Sequence, residues 1–216
     1  MIRATAKMPH DPEPVVELIL VRCGRAEAPA GTLRGQADLA LAVDGFTAMQ
    51  RLATHWSGAP PRFLFCSDQR RALQSAQVLA GRFALEPLAD ARLRELDLGR
   101  WNGLNFAQAA ATAAQDWQRW NADWLHHAAP GGETFTQLQA RAGAWLDAVL
   151  AAAQRDDRVL AVTHEGSIRA LLCRVLGLEL LQARALRVDC ASVSAIAFRD
   201  GRFEVSYLNC PQFLSD

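Results

Sequence analysis

Glu17-Leu18-Ile19-Leu20-Val21-Arg22-Cys23-Gly24 is a nearly continuous apolar run that stops at a basic residue and a glycine. A run this short, without polar alternation, reads as a strand buried on both faces with a loop opening at its C-terminal edge. The same pattern recurs twice. Arg62-Phe63-Leu64-Phe65-Cys66-Ser67 leads into a helix from about Arg71 to Phe83, and Arg158-Val159-Leu160-Ala161-Val162-Thr163 leads through His164 into a helix with Ile168, Leu171, Leu172 and Val175 on one face. Between these runs, Phe46, Met49 and Leu52 mark a helix over about Asp44 to Trp56. Phe135, Leu138, Ala142, Trp145 and Val149 mark a longer one from Thr134 to about Gln154. Strands alternating with helices predict an α/β fold: a mostly parallel central sheet covered by helices on both faces. Asp200-Gly201, between Ser192 to Arg199 and Arg202 to Leu208, is a hairpin turn signal that adds antiparallel strands at the C-terminus.

Two hundred and sixteen residues, half of them apolar, suffice for one core, and no linker or internal repeat divides them. A single domain over 1–216 is expected, with a helical cap inserted at about 104–130, where Ala-rich sequence carries Trp117, Trp120 and Trp124 at helical spacing. These tryptophans read as a packed cap, one of which could line a substrate mouth. Twenty-three basic residues balance twenty-three acidic ones. The overall charge therefore points to neither nucleic acid nor an anionic membrane as partner, and any anion site must be local. All basic residues but Lys7 are arginines, so a single arginine carries little information. The start, Met1 to Lys7 and the short run Val15 to Val21, does not read as a signal peptide, and the stretch Leu171 to Leu181 is cut by Arg174 and Glu179. Five cysteines without a C-x-x-C pair suit a reducing cytoplasm, with Cys66, Cys173, Cys190 and Cys210 as small core residues. Adjacent His126 and His127 lack ligand spacing and partner carboxylates, so they read as solvated or packed histidines and no metal site is expected.

Three strand ends carry one chemical theme: Arg22-Cys23-Gly24, Ser67 to Arg71, and His164-Glu165-Gly166. Ligands of such sheets bind beyond the C-terminal ends of the strands. Two guanidinium forks, an imidazole and the N–H groups at the start of a helix match a tetrahedral dianion, so a phosphate site is expected there.

In order along the chain, these motifs resemble the histidine phosphatase superfamily, the phosphoglycerate mutase-like proteins. Leu20-Val21-Arg22-Cys23-Gly24 stands where the family has a strand ending in Arg-His-Gly. Gly35-Gln36-Ala37-Asp38, Leu41 and Gly45 resemble the loop before its first helix. Ser67 to Ala76 is similar to the segment whose second arginine grips phosphate, which falls on Arg71. Leu93-Arg94-Glu95-Leu96-Asp97-Leu98-Gly99-Arg100-Trp101-Asn102-Gly103 resembles the segment with the proton donor, which falls on Glu95. Pro130-Gly131-Gly132-Glu133 and Val162-Thr163-His164-Glu165-Gly166 complete the series. The resemblance implies phosphomonoester hydrolysis on a small phosphorylated metabolite, inorganic phosphate as a partner, and no metal or organic cofactor; a homodimer is the candidate assembly. Phosphate would be held by Arg22, Arg71 and His164, with Gly24, Gly35, Gln36 and Glu165 as further substrate contacts.

The departure is Cys23, where the family forms its phosphoenzyme on histidine. Hydrolysis is therefore expected to be impaired or altered. Arg22, Arg71 and a protonated His164 could favour a Cys23 thiolate. Thiol phosphatases, however, wrap phosphate in a Cys-x5-Arg loop, and the sixth residue after Cys23 is Pro29. A cysteine is also shorter than a histidine, and a misplacement of about 1 Å can cost on the order of 100-fold. The alternative is a non-catalytic phosphoester-binding pseudoenzyme. A phosphoglycerate mutase-type phosphotransferase fits less well, because that branch follows its acidic residue with Arg-His-Tyr-Gly and Glu95 is followed by Leu96-Asp97-Leu98. Within the phosphatase branch, Leu93 to Trp101 is most like the α-ribazole phosphatases, apart from Asn102 where glutamate is common.

Overall fold

The computed structural model describes residues 15–211; the opening Met1 to Lys7 lies outside them. Six strands form one sheet: β1 (Val16–Arg22), β2 (Phe63–Cys66), β3 (Leu88–Ala89), β4 (Arg158–Thr163), β5 (Val193–Arg199) and β6 (Arg202–Cys210), in the spatial order β3-β2-β4-β1-β5-β6. The pairs β1/β4, β2/β4 and β2/β3 are parallel, while β5 runs antiparallel to β1 and to β6. The last two strands form the hairpin expected from Asp200-Gly201, both of whose residues take positive φ, 48° and 76°. That pair of left-handed residues is the geometry a two-residue turn needs to match strand twist.

Side-chain alternation along the buried strands sends one set of apolar residues to each face. Ile19, Val21, Leu160 and Val162 meet Met49, Leu52, Ala72 and Leu79 from α1 (Val43–Thr54) and α2 (Arg70–Phe83). Leu18, Leu20, Val159 and Ala161 meet Trp145, Leu146, Ile168 and Leu171 from the two helices opposite, named α5 and α6 below. Each fully buried Leu or Ile contributes about 1.5–3 kcal/mol, so these two faces carry most of the stabilisation. Phe46 departs from the expected stripe: it is 44% exposed, at the outer edge of α1 beside Val43.

The 104–130 segment forms two short helices, α3 (Phe106–Thr112) and α4 (Ala114–Ala122), followed by a loop. Trp117 and Trp120 lie on α4 and pack edge-on against fully buried Trp101, whereas Trp124 falls beyond the end of the helix and packs on Phe135. The long helix is α5 (Phe135–Ala152), started by a capping box in which Thr134 and Gln137 satisfy each other's backbone N–H. All five of its expected stripe residues are buried. After β4, α6 (Glu165–Leu176) begins directly at His164 and ends on Gly177 in the left-handed conformation.

The chain leaves β1 to build the sheet on one side and leaves β4 to build it on the other. The crevice between their C-terminal ends is therefore a topological switch point, where ligands of such sheets bind. Arg22 is paired in register with Thr163 there, which sets Cys23 beside His164.

Candidate active site

Cys23 and His164 each follow the last residue of a buried strand and meet across the crevice, with Cys23 Sγ 3.5 Å from His164 Nδ1. Both are almost fully buried, at 5% and 2% exposure. Burial, assisted by the positive charges of Arg71, Arg141 and Arg22, holds the imidazole well below its ordinary value of 6.5, so His164 is neutral. Burial likewise pushes the Cys23 thiol up to about 11, prevailing over the pull of Arg71 and Arg22 toward thiolate. The thiolate that a protonated His164 and two arginines could have favoured does not form, in keeping with the weight of the sequence against it: the pair is a neutral thiol beside a neutral imidazole. With the thiol donating toward Nδ1, the ring hydrogen sits on Nε2, which has no partner among the described residues.

Around this pair lies a cavity of about 390 Å³ lined by Arg22, Gly24, Gly35, Arg71, Glu95 and Glu165 as well as by Cys23 and His164. A guanidinium has five N–H donors, and each of the two forks uses part of its set on the chain. Arg71 donates to the carbonyls of Gly35 (2.7 Å) and Ala37 (3.0 Å); Arg22 donates to the carbonyl of Val188 and pairs with Glu165 at 2.9 Å. The remaining N–H groups are left for a ligand. Gly24 packs flat behind the site: a Cβ there would stand 2.5 Å from the Gly45 carbonyl oxygen, so the loop closes only with glycine.

Glu95 is placed by a dense set of contacts. Gln69 accepts the Glu95 N–H at 2.8 Å, while Arg141 donates to the carbonyls of Arg92, Arg94 and Glu95 and forks onto Glu133. The carboxylate accepts from the N–H groups of Leu96 (2.8 Å) and Gly166 (3.1 Å). That second bond occupies an N–H at the start of α6 that sequence reasoning had offered to phosphate. Gly166 leaves room for that carboxylate, since a Cβ would lie 2.2 Å from Glu95 Oε1 and displace it.

Two expected contacts stand differently. Gln36 does not line the cavity; its side chain donates to the Glu95 carbonyl and its backbone N–H donates to Asn102. Asn102 also binds Leu98 N–H and Asp97, so it clasps the Gly35-Gln36 loop to the Glu95 segment. Glu165 faces the cavity but is shared between Arg22 and Arg169. Other residues were missed. Cys190, expected in the core, is half-buried and lines the cavity, as do Trp120 and Trp124, two tryptophans where one was anticipated. Arg141, the main brace of the Glu95 segment, left one signal, a cation next to the apolar stripe of α5. Outside the site, His126 and His127 are exposed and both face Asp123, a carboxylate partner not anticipated. No helix among the described residues is long and apolar enough to cross a membrane.

The sequence model of the histidine phosphatase superfamily (branch 1) matches residues 18–211. Glucosyl-3-phosphoglycerate phosphatase of Mycobacterium tuberculosis is 33% identical over 179 residues, covering 78% of this chain and 79% of that protein. The adenosylcobalamin/alpha-ribazole phosphatase of Escherichia coli is 27% identical over 84% of this chain and 89% of its own length. Among solved structures, a mycobacterial glucosyl-3-phosphoglycerate phosphatase in complex with inorganic phosphate superposes with a TM-score of 0.79 at 29% identity, covering 92% of this chain and 99% of that one.

Proposed function

The chain belongs to the histidine phosphatase superfamily, and from that premise we propose that its cavity takes the phosphate of a small phosphomonoester, with hydrolysis impaired because Cys23 stands where a nucleophilic imidazole is needed. Arg22 and Arg71 grip the equatorial oxygens, the Nε2–H of His164 donates to one of them, and Glu95 protonates the alkoxide that departs as water, or the small thiolate fraction of Cys23, attacks the phosphorus. One observation carries this reading: Arg22, Arg71, Glu95 and His164 line one cavity around a thiol that stays protonated at neutral pH. The thiolate, not the thiol, is the competent nucleophile. The same observation favours the second reading, a phosphoester-binding pseudoenzyme, in which turnover is absent rather than slow. The relatives' names, phosphatases of a glycosylated phosphoglycerate and of a ribazole phosphate, support a small phosphorylated metabolite without choosing one.

Calorimetric titration with inorganic phosphate, alongside a panel of phosphate esters, tests the proposal. Binding at millimolar phosphate or below with slow turnover is expected. Absence of binding at millimolar concentration overturns both readings, and fast turnover abolished by thiol alkylation would make Cys23 a working nucleophile and overturn the impairment.

A further inference from the structure

Cys190 is a nucleophilic side chain that phosphate binding does not use. It is half-buried, lies in the loop before β5 and lines the same cavity as Cys23. Backbone pairing brings the two segments side by side. Beyond the last β1/β5 pair, Val21 with Val193, the Arg22 N–H donates to the Ser192 carbonyl at 3.1 Å, and the Ala191 N–H is shared between the carbonyls of Arg22 at 3.0 Å and Cys23 at 3.4 Å. A regular continuation of that ladder would set Ala191 opposite Cys23 and turn Cys190 to the other face, because side chains alternate along a strand. Ala191 instead takes a φ of 58°, a left-handed conformation that a residue with a Cβ seldom adopts. The alternation breaks there, and Cys190 turns into the cavity. It stands close enough to Cys23 for its charge to add to the upward push on that thiol. Paired antiparallel backbones stand about 4.5–5.5 Å apart between Cα atoms, within the roughly 4.4–6.8 Å that a disulfide spans.

We propose that Cys23 and Cys190 form a dithiol site for thiol–disulfide exchange, in which a small disulfide oxidises the pair to an intramolecular bridge. Cys190, the more accessible of the two, reacts first. Its thiolate attacks one sulfur of the small disulfide, the S–S bond breaks, and one small thiolate leaves and takes up the proton that Cys190 gave away. Cys23 then passes its proton to Nδ1 of His164, 3.5 Å away, and attacks the Cys190 sulfur. The second small thiolate departs and receives that proton. Two protein thiols are thereby oxidised to one disulfide, and the small disulfide is reduced to two thiols. The second step is intramolecular, so proximity offsets the small thiolate fraction of Cys23. None of this depends on phosphate occupying the cavity.

Glutathione disulfide is the probe, since it carries carboxylates and the cavity is lined by five arginines against two carboxylates. The protein is incubated with it at neutral pH, the remaining thiols are blocked with N-ethylmaleimide under denaturing conditions, and the peptides are mapped by mass spectrometry. The expected result is the loss of two of the five thiols, with the Cys23 and Cys190 peptides joined and both thiols returned by dithiothreitol. Cys23→Ser is expected to stop at one glutathionyl group on Cys190, and Cys190→Ser to leave Cys23 as a thiol. A mixed disulfide on Cys190 in the unaltered protein with Cys23 still a thiol, a bridge from either residue to another cysteine, or no loss of thiols overturns the proposal. The unaltered protein alone decides the outcome, whether or not either variant folds.

Discussion

Placing an imidazole at position 23 is the perturbation with the largest consequence. The Cys23 thiol, pushed by burial up to about 11, is ionised at pH 7.5 in only about three molecules per ten thousand. Forming the thiolate there costs about 5 kcal/mol, from a gap of about 3.5 pH units at about 1.4 kcal/mol each. An imidazole at this position carries no such penalty, since it attacks as the neutral base. Its reach toward the phosphorus is also greater, which recovers part of what misplacement costs. Space exists, because Cys23 opens onto the cavity rather than onto the close backbone contact behind Gly24. The neighbouring His164 is neutral, so a second ring beside it meets no like charge there.

Cys23→His is therefore expected to raise kcat for phosphomonoesters by at least about three orders of magnitude at pH 7.5, followed with p-nitrophenyl phosphate and with alkyl phosphates. A folded variant that still binds inorganic phosphate but shows unchanged turnover would refute the reasoning, because it would mean that more than the nucleophile is missing. The unaltered protein supplies the internal control. Any turnover that Cys23 itself supports rises about tenfold per pH unit toward pH 11, whereas turnover by a contaminating phosphatase follows its own profile.

Arg71→Ala should weaken inorganic phosphate by about tenfold or more by calorimetry, the loss of roughly 1.5–3 kcal/mol expected of a charge-assisted contact; undiminished affinity would remove Arg71 from the anion site. In the Cys23→His background, Glu95→Gln should slow alkyl phosphates far more than p-nitrophenyl phosphate, whose leaving group departs without a proton. Equal losses would return Glu95 to a purely structural role and make Asp97, two residues on, the next candidate. His164 is held neutral in the fold, while below its ordinary value of 6.5 the unfolded chain takes up a proton there. Its contribution to stability is thus complete above pH 6.5 and declines as pH falls, by about 1.4 kcal/mol per unit until the folded value is reached. Urea unfolding at pH 7.5 and pH 5 should show a smaller drop in His164→Gln than in the parent; identical drops would mean that His164 is already charged in the fold.

The parallel strands were legible because burial on both faces leaves no polar residue in Leu18 to Val21 or Val159 to Val162, a pattern few surface segments share. The C-terminal turn was legible because Asp-Gly serves two left-handed positions at once. Strand β3 escaped because two exposed residues, Leu88 and Ala89, carry no period. Trp124 sits at helical spacing from Trp120, yet the helix stops at Ala122, and periodicity alone does not register where backbone hydrogen bonding ends. Cys190 reached the cavity through a tertiary hydrogen bond: the N–H of its neighbour Ala191 donates to the carbonyl of Arg22 and draws that loop against the end of β1. No local sequence pattern encodes such a contact. Strand ends and spacing brought Arg22, Cys23, Arg71 and His164 to one edge, but they said nothing of Gln69, Asn102 and Arg141, whose work is to hold Glu95 and its loop from behind.

Those supporting contacts bear on how the rest of the site is built beside a thiol that burial keeps protonated. Arg71 fastens the Gly35 to Ala37 loop to α2, Arg22 joins β1 to Glu165 and the Val188 carbonyl, and Glu95 closes onto the first turn of α6 through Gly166. Each is part of the fold as well as of the cavity, so its replacement leaves buried backbone groups unpaired at roughly 1–3 kcal/mol apiece. Cys23 differs. Its thiol makes one polar contact, with His164, and otherwise behaves as a small apolar residue in the core beneath α1 and α2. Exchange at that position therefore costs the fold little while costing the chemistry much. Arg22, Arg71 and Glu95 are therefore tied into the fold as well as into the cavity, and their presence is by itself no independent evidence of turnover; an imidazole at position 23 is the member that the fold does not require and the chemistry does.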